Sequence, residues 1–193
     1  MQPRVDLVSQ QVDGRAPALA PIAVVIPAWN EEGSIGRVID DLPKDLICVI
    51  VADNNSTDYT ADVARKFGAT VVPAPRQGYG SACLAALAHL ESLPPDQQPQ
   101  IVVFIDADYS DHPEQLPLLV DPILRGEADF VLGSRMLKPQ PKGALLPQAI
   151  FGNRLACFLI RLLFRQRYTD LGPFRAIRWS SLERLRMRDP NFG

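Results

Sequence analysis

Short apolar runs alternate along this chain with stretches in which apolar residues recur at every third or fourth position. The runs predict strands at residues 22–26, 46–51, 70–72, 101–105 and 129–132. The periodic stretches predict helices at residues 31–41, 57–67, 81–90 and 113–124. Strands that alternate with helices in this way form a mostly parallel sheet with helices on both faces. The predicted fold class is therefore α/β.

The two ends of the chain differ from this alternation. Residues 1–20 include Pro3 and Pro17, lack periodicity and are predicted to be a disordered leader. Residues 21–193 are predicted to form one domain, because a chain of 193 residues that is 47% hydrophobic buries one substantial core. No apolar run approaches the roughly 20 residues that span a bilayer, and the N-terminus lacks the pattern of a signal peptide. We therefore expect a cytoplasmic protein.

The charge balance and the cysteines restrict the partners and the compartment. A net charge of -2 provides no field that attracts nucleic acid, so no nucleic-acid partner is expected. Cys48, Cys83 and Cys157 are odd in number, lie in apolar runs and lack the spacing of a zinc site. We expect them to fill the core of a protein in a reducing compartment.

The strand at 101–105 runs directly into two aspartates, Asp106 and Asp108. In open α/β sheets the ligand crevice lies beyond the carboxyl ends of the strands, which is where these carboxylates stand. Their oxygens suit a hard divalent cation, Mg²⁺ or Mn²⁺, that bridges phosphates. The alternative is an Asp-rich turn before the helix at 113, and for an isolated Asp-x-Asp that alternative is the more common.

A second polar cluster follows the second strand. Residues 53–58, Asp-Asn-Asn-Ser-Thr-Asp, either start a helix through Asx turns or place Asp53 on a nucleotide base or ribose. Asn30 and Glu31 follow the first strand in the same way. Several polar clusters are thus expected to converge on one edge of the sheet.

A third cluster, residues 76–81, is a glycine-rich loop that opens a helix. It is either an ordinary turn or a place where backbone N–H groups around Gly78 and Gly80 approach phosphates. A lone Gly-x-Gly does not decide between the two.

Residues 154–167 combine arginines with leucines and phenylalanines at helical spacing. Such a basic amphipathic helix either packs its apolar stripe on the sheet, with the arginines in solvent, or lies on an anionic membrane surface. Packing on the sheet is the more common arrangement, and peripheral membrane contact is the alternative.

Taken in order, these segments resemble the GT-A-fold family 2 glycosyltransferases, and within them the polyprenyl-phosphate (dolichol-phosphate-mannose-synthase-like) sugar transferases. The resemblance extends from Ile22 to Arg178 and rests on the following motifs: VVIPAWNEE, VIVADNNSTD, RQGYGSA, FIDADYSDHPEQL, VLGSRM, GNR and TDLGPFRAIR. It implies a Rossmann-like GT-A domain that binds a nucleotide-diphosphate sugar.

The resemblance also assigns residues to the donor site. It implies a nucleotide pocket lined by Pro27, Asn30, Glu31 and Asp53. Trp29 stands where the family usually has Tyr. Asp106 and Asp108 would hold the metal on the donor diphosphate, and Arg135 would lie near the donor or the acceptor.

For the reaction, the resemblance implies an inverting transfer of a hexose to a polyprenyl phosphate at the cytoplasmic membrane face. The expected catalytic residues are Asp108, Asp170 and Arg175, the last two in the acceptor loop. A lipid phosphate is already anionic, so it needs positioning rather than a general base. Arginine binds phosphate with a matched fork, and Arg165 or Arg167 would join Arg175 in that role.

Other functions stay open or are disfavoured. Members of this branch continue beyond the length of this chain, so we expect it to be truncated on the acceptor side. The alternatives are a nucleotide-sugar-binding protein without transferase activity and a transferase to a soluble small molecule. A dehydrogenase is disfavoured, because Pro27 to Glu32 replaces the Gly-x-Gly-x-x-Gly turn after the first strand. A non-enzymatic interaction module would need no converging carboxylates.

Overall fold

A six-stranded sheet forms the centre of the fold in the computed structural model, which describes residues 21–133, 147–165 and 172–191. Its strands are β1 (Ile22–Ala28), β2 (Cys48–Asp53), β3 (Thr70–Pro73), β4 (Ile101–Phe104), β5 (Phe130–Leu132) and β6 (Arg175–Arg178). The helices are α1 (Ile35–Asp40), α2 (Thr60–Lys66), α3 (Tyr79–Ser92), α4 (Leu116–Leu124), α5 (Pro147–Phe164) and α6 (Trp179–Leu185). The predicted leader at 1–20 lies outside the described residues.

The strands have the order β3-β2-β1-β4-β6-β5. β1 pairs in parallel with β2 and β4, and β2 pairs in parallel with β3. β6 runs antiparallel to both of its neighbours, β4 and β5. The predicted mostly parallel α/β sheet is therefore confirmed.

β6 was not predicted, since the sequence analysis treated the residues around Arg175 as part of a turn. The strand has only two apolar residues, Ala176 and Ile177, between two arginines, so no apolar run marks it. Both apolar residues are buried between β4 and β5. Its position inside the sheet, rather than its own sequence, stabilises it as a strand.

Both faces of the sheet are covered. On β1, Ile22, Val24 and Ile26 pack on one face with residues of α1, α2 and α4. Ala23 and Val25 pack on the other face with residues of α3 and α6. This continuous apolar run is what a strand buried on both faces requires.

Helix α1 begins later than predicted, at Ile35. The residues before it form a turn in which Ser34 Oγ donates to Glu31 Oε2 at 2.6 Å. That turn leaves the backbone of Glu31 in the loop at the end of β1, where the candidate site lies.

Helix α5 exposes its apolar stripe. The stripe consists of five side chains that are between 42% and 69% exposed: Leu155, Phe158, Leu159, Leu162 and Leu163. The more common arrangement, in which this stripe packs on the sheet, is therefore not the one observed. Among the described residues, no helix combines the length and the apolar character needed to cross a membrane.

Candidate functional site

The carboxyl ends of the parallel strands and the start of β6 meet at one edge of the sheet. Asp53 ends β2 and pairs with Ala28 at the end of β1. Asp106 follows β4, whose last residue, Phe104, pairs with Arg175 at the start of β6. Only β1 separates β2 from β4, so the two strands that lead to Asp53 and Asp106 are two strand spacings of about 4.8 Å apart. The expected convergence of polar side chains on this edge is present.

Hydrogen bonds join the loop after β1 to the loop after β2. The N–H of Asn30 donates to Ser56 Oγ at 3.0 Å, and the N–H of Thr57 donates to Asn30 Oδ1 at 2.8 Å. The N–H of Glu31 donates to Thr60 Oγ1 at 2.7 Å. The two loops therefore form one unit. Direct contacts of Asn30 and Glu31 with the nucleotide-sugar donor stay predictions.

The loop after β2 carries two aspartates with different surroundings. Asp53 Oδ1 accepts the N–H of Ser56 at 3.3 Å at the edge of the sheet. Asp58 accepts the hydroxyl hydrogen of Thr60 at 2.5 Å, the N–H of Thr60 at 3.0 Å and the N–H of Glu32 at 3.2 Å. Burial acts to raise the pKa of Asp58, but these hydrogen bonds outweigh it and lower the pKa. Asp58 thus serves the start of α2, whereas Asp53 stands at the crevice.

The buried side chain of Asn54 connects the end of β2 to the glycine-rich loop. Its Nδ2 donates to the carbonyl oxygens of Ala74 at 2.8 Å and Arg76 at 2.7 Å. Its Oδ1 accepts the N–H of Gly78 at 2.8 Å. Gly78 has a φ of 135°, a backbone conformation that favours glycine. The loop is therefore held by a residue that the sequence analysis did not assign to the site.

A cavity of about 330 Å³ lies between the end of β1 and the start of α3. It is lined by Pro27, Ala28, Trp29, Asn54, Gln77, Gly78, Tyr79 and Ala82. Trp29 is 56% exposed, so its indole borders the open side. Of the predicted donor-binding residues, Pro27 and Gly78 belong to this lining. The volume is in the range of small-molecule sites.

Two backbone N–H groups at the glycine-rich loop already donate hydrogen bonds within the protein. The N–H of Gly78 is bonded to Asn54, and the N–H of Ser81 donates to the carbonyl oxygen of Pro190 at 2.7 Å. A phosphate would meet the N–H of Gly78 only after the bond to Asn54 has broken. A phosphate contact at Gly80, which is buried, stays a prediction.

Tyr109 anchors the loop that carries Asp106 and Asp108. Its backbone is left-handed, with a φ of 63°, which turns the chain directly after Asp108. Its hydroxyl donates to Asp41 at the end of α1, and this hydrogen bond raises the pKa of Tyr109. The guanidinium of Arg37 lies 4.3 Å from the centroid of the Tyr109 ring. Helix α1 therefore helps to position the aspartate loop.

The aspartate loop fits a divalent cation that is shared with a phosphate ligand. Ala107 is buried, whereas Asp106 is half-buried and Asp108 is exposed. Asp108 Oδ1 accepts the N–H of Ser110 at 2.9 Å, which orients the carboxylate. In the described parts of the chain no three potential ligand side chains gather into a metal site. Mg²⁺ commonly binds through one or two carboxylates plus substrate phosphates and water, which this donor set permits.

Arg175 and Tyr79 lie at the inner side of the same edge. The guanidinium of Arg175 is 5.6 Å from the centroid of the Phe104 ring. The Tyr79 hydroxyl is buried and has no hydrogen-bond partner of normal geometry among the described residues. Burial raises the pKa of Tyr79. The nearby Cys83 and Asp106 raise this pKa further, whereas Arg175 lowers it. Burial also raises the pKa of the Cys83 thiol to about 12, so this thiol stays neutral.

Some predicted residues lie outside the described residues. These are Arg135, Asp170 and Arg167, and their expected roles in donor or acceptor binding stay predictions.

The sequence matches the family described as glycosyl transferase family 2 over residues 23–186. The chain belongs to this family. The predicted identification as a family 2 glycosyltransferase is confirmed.

Family 2 relatives cover most of the chain. A protein of Mycobacterium tuberculosis, named an uncharacterized glycosyltransferase, is 38% identical over 174 residues, or 89% of this chain and 74% of that protein. The dolichyl-phosphate hexose transferase of Haloferax volcanii is 36% identical over 160 residues, or 80% of this chain and 66% of that protein. The second name agrees with the predicted branch of the family.

Solved structures of glucosyl-3-phosphoglycerate synthase from Mycobacterium tuberculosis share the GT-A fold. The complex with Mn²⁺, UDP and glucosyl-3-phosphoglycerate is 30% identical with a TM-score of 0.62, covering 83% of this chain and 57% of that one. The complex with Mn²⁺, UDP-glucose and phosphoglyceric acid has a TM-score of 0.61 at the same identity and coverage. The chain thus spans little more than half the length of these solved structures.

Sequence reasoning missed three residues that shape this family 2 site. Asn54 and Tyr109 lie within the polar clusters that were singled out, but their roles depend on distant partners. Tyr79 lies between the two glycines of the third cluster, where an aromatic side chain next to a flexible loop was the available signal.

Proposed function

We propose that this family 2 chain transfers a hexose, with inversion, from a nucleotide-diphosphate sugar to a lipid phosphate at a membrane face. The observation that carries the proposal is the position of the Trp29-lined cavity and Asp53 on one side of β1 and of Asp106 on the other. A nucleoside bound at the cavity would extend its diphosphate across the end of β1 toward the aspartate loop.

The cavity supports nucleoside binding in its shape and its lining. Trp29 offers a flat, exposed indole on which a base can stack. Asp53, at the neighbouring strand end, offers carboxylate oxygens to the N–H of a base or the hydroxyl of a ribose. The proposed donor contacts at Asn30, Glu31 and Gly80 extend this surface along the same edge.

Asp106 and Asp108 would hold Mg²⁺ or Mn²⁺ on the donor diphosphate. Such a cation neutralises the charge that develops on a departing diphosphate. The Mn²⁺ in the glucosyl-3-phosphoglycerate synthase complexes supports a divalent ion for this chain. Tyr109 and Ser110 hold the aspartate loop in place for this role.

The acceptor is proposed to be a phosphate, because no general base is then required. A phosphate oxygen attacks the anomeric carbon, the bond from that carbon to the diphosphate oxygen breaks, and the nucleoside diphosphate leaves. Arg175 lies at the edge of the sheet near Asp106 and supplies a guanidinium for the acceptor. Asp170 and Arg135 are proposed to complete the acceptor side.

Helix α5 supports a lipid as the source of that phosphate. Its exposed apolar stripe is accompanied by exposed Arg161 and Arg165, and the helix contains no acidic residue. A helix with an apolar face and a cationic border binds an anionic lipid surface. The Haloferax volcanii relative is named a dolichyl-phosphate hexose transferase, and dolichyl phosphate is a lipid phosphate.

A soluble small molecule is the second candidate acceptor. The glucosyl-3-phosphoglycerate synthase complexes contain phosphoglyceric acid, which also carries an anionic phosphate. An Arg175 guanidinium would serve either acceptor.

A transfer assay separates these candidates. The protein is incubated with labelled UDP- and GDP-hexoses and Mn²⁺, either with vesicles that contain a polyprenyl phosphate or with phosphoglyceric acid. Label in the organic phase supports the lipid acceptor, and label on phosphoglyceric acid replaces it with the soluble one. Donor binding without transfer to either would identify a nucleotide-sugar-binding protein and overturn the proposed reaction.

A further inference from the structure

Asn54 has its side chain fully engaged beside the cavity. It is only 8% exposed, and both N–H donors and the amide oxygen form hydrogen bonds of 2.7 to 2.8 Å. All three bonds go to the backbone of one short segment, at Ala74, Arg76 and Gly78. A side chain whose donors are already used is poorly placed to read a ligand.

These hydrogen bonds fix the position of one wall of the cavity. Gln77 and Gly78 form that wall, and Asn54 binds the chain on both sides of Gln77. The neighbouring Asn55 makes one bond to the same segment, from its Nδ2 to the carbonyl oxygen of Pro75 at 2.6 Å, but it is exposed. The hydrogen bonds of Asn54 are buried or part-buried, whereas that of Asn55 is exposed, and a hydrogen bond lost away from water costs more.

We propose that Asn54 is a positioning residue that fixes the loop 74–78 as one wall of the nucleotide site. The statement rests on the proposed function, because it assigns the cavity to the nucleoside part of the donor. A loop that is already ordered avoids the loss of conformational entropy that a flexible loop undergoes when the ligand binds. Asn54 therefore increases nucleotide affinity through the loop that it holds, because its own donors and acceptor are already engaged.

The first test follows the loop itself and needs no ligand. Arg76 is exposed within the segment, so trypsin reports on how often the loop opens. Asn54→Ala is expected to be cut after Arg76 at least about tenfold faster than the wild type, because one buried and two part-buried hydrogen bonds are lost. Asn55 has a left-handed backbone with a φ of 64°, so the matched control is Asn55→Gly, which removes the exposed hydrogen bond and keeps that conformation. It is expected to change the rate less than about threefold.

The second test measures binding of UDP and of GDP, each with Mn²⁺. Asn54→Ala is expected to lower the affinity for the nucleotide that the wild type binds by about tenfold, whereas Asn55→Gly should bind it about as tightly as the wild type. Asn54→Asp adds a readout that a general loss of structure would not produce. Its ionised carboxylate repels the carbonyl oxygens of Ala74 and Arg76, whereas the protonated acid donates to one of them. Its affinity relative to the wild type should therefore recover as the pH falls, and that of Asn54→Ala should not.

The outcomes distinguish this inference from the proposed function. If the wild type binds neither nucleotide, the proposed function fails. Faster cleavage at Arg76 in Asn54→Ala would still show that Asn54 holds the loop 74–78 in place. If the wild type binds a nucleotide and Asn54→Ala binds it equally well, the inference is overturned. Equal cleavage of the Asn54 and Asn55 variants would also overturn it.

Discussion

The carbonyl oxygen of Pro190 lies 2.8 Å from the position that a Cβ atom on Gly78 would occupy. The same oxygen accepts the N–H of Ser81 at the start of α3. A residue far along the chain therefore packs against the glycine-rich loop that forms one wall of the cavity. The contact is possible because position 78 carries no side chain and adopts a φ of 135°.

Replacement of Gly78 by alanine should destabilise the protein. The new Cβ would meet the Pro190 oxygen, and its backbone would be strained by about 1–3 kcal/mol. Because about 1 kcal/mol shifts the Tm of a protein of this size by about 2–4 °C, a decrease of several degrees is expected in calorimetry. Gly33→Ala is the control, since no atom lies within 4 Å of its added Cβ. Similar melting of both variants would contradict the close approach at Gly78.

Replacement of Tyr79 by phenylalanine should leave the folded protein as stable as before or make it more stable. The buried hydroxyl has no hydrogen-bond partner of normal geometry among the described residues, although Arg175 lies close enough to lower its pKa. A buried unpaired polar group costs about 1–3 kcal/mol. Tyr59→Phe removes a hydroxyl from a side chain that is 70% exposed and should have no effect on the Tm. A clear decrease in the Tm of Tyr79→Phe would mean that the hydroxyl has a partner.

Replacement of Leu162 by glutamate should abolish binding to anionic vesicles without lowering the Tm. Leu162 is 65% exposed in the apolar stripe of α5, where an added negative charge opposes both insertion and the anionic surface. Leu118→Glu is the matched control, because Leu118 is 70% exposed on α4, outside that stripe. Sedimentation with vesicles of phosphatidylglycerol and phosphatidylcholine in equal parts measures the difference. Equal binding by both variants would exclude α5 as the contact surface.

The loss of Asp58 should reduce stability near neutral pH and matter less in acid. Its folded-state pKa lies below the ordinary value of 3.8, so its contribution is present above that value and is lost as the pH falls through the folded pKa. Denaturation curves of the wild type and Asp58→Asn, measured from pH 7 downward, should therefore converge below about pH 4. A constant separation at all pH values would show that the carboxylate charge is not what stabilises the start of α2.

The elements that depend on local patterns were predictable from the sequence. β1 and β4 are continuous apolar runs, and both are buried as predicted. β6 was missed, because Ala176 and Ile177 become a strand only when β4 and β5 are present on either side. The exposed stripe of α5 was also not the favoured arrangement, since periodicity identifies an apolar face without showing what covers it.

The candidate site also has a part that was predictable from the sequence and a part that was not. The spacing of Asp106 and Asp108 after a strand placed them at the carboxyl-end edge of the sheet, and the structure has them there. The sequence could not show that Asn54 would bind a loop more than twenty residues further on, at Arg76 and Gly78. Such roles arise from contacts between distant segments, which one sequence without its fold does not contain.

The most direct test of the central claim is a calorimetric titration with UDP and with GDP in the presence of Mn²⁺, on the wild type, Asp108→Asn and Asp58→Asn. We expect the wild type to bind one of the two nucleotides and to lose affinity when the metal is chelated. Asp108→Asn should weaken this binding by at least about tenfold, because one of the two proposed metal ligands is lost. Asp58→Asn should bind like the wild type, since Asp58 serves the start of α2. Equal affinities of the two variants, or no binding by the wild type, would contradict a metal-assisted nucleotide-sugar site at Asp106 and Asp108.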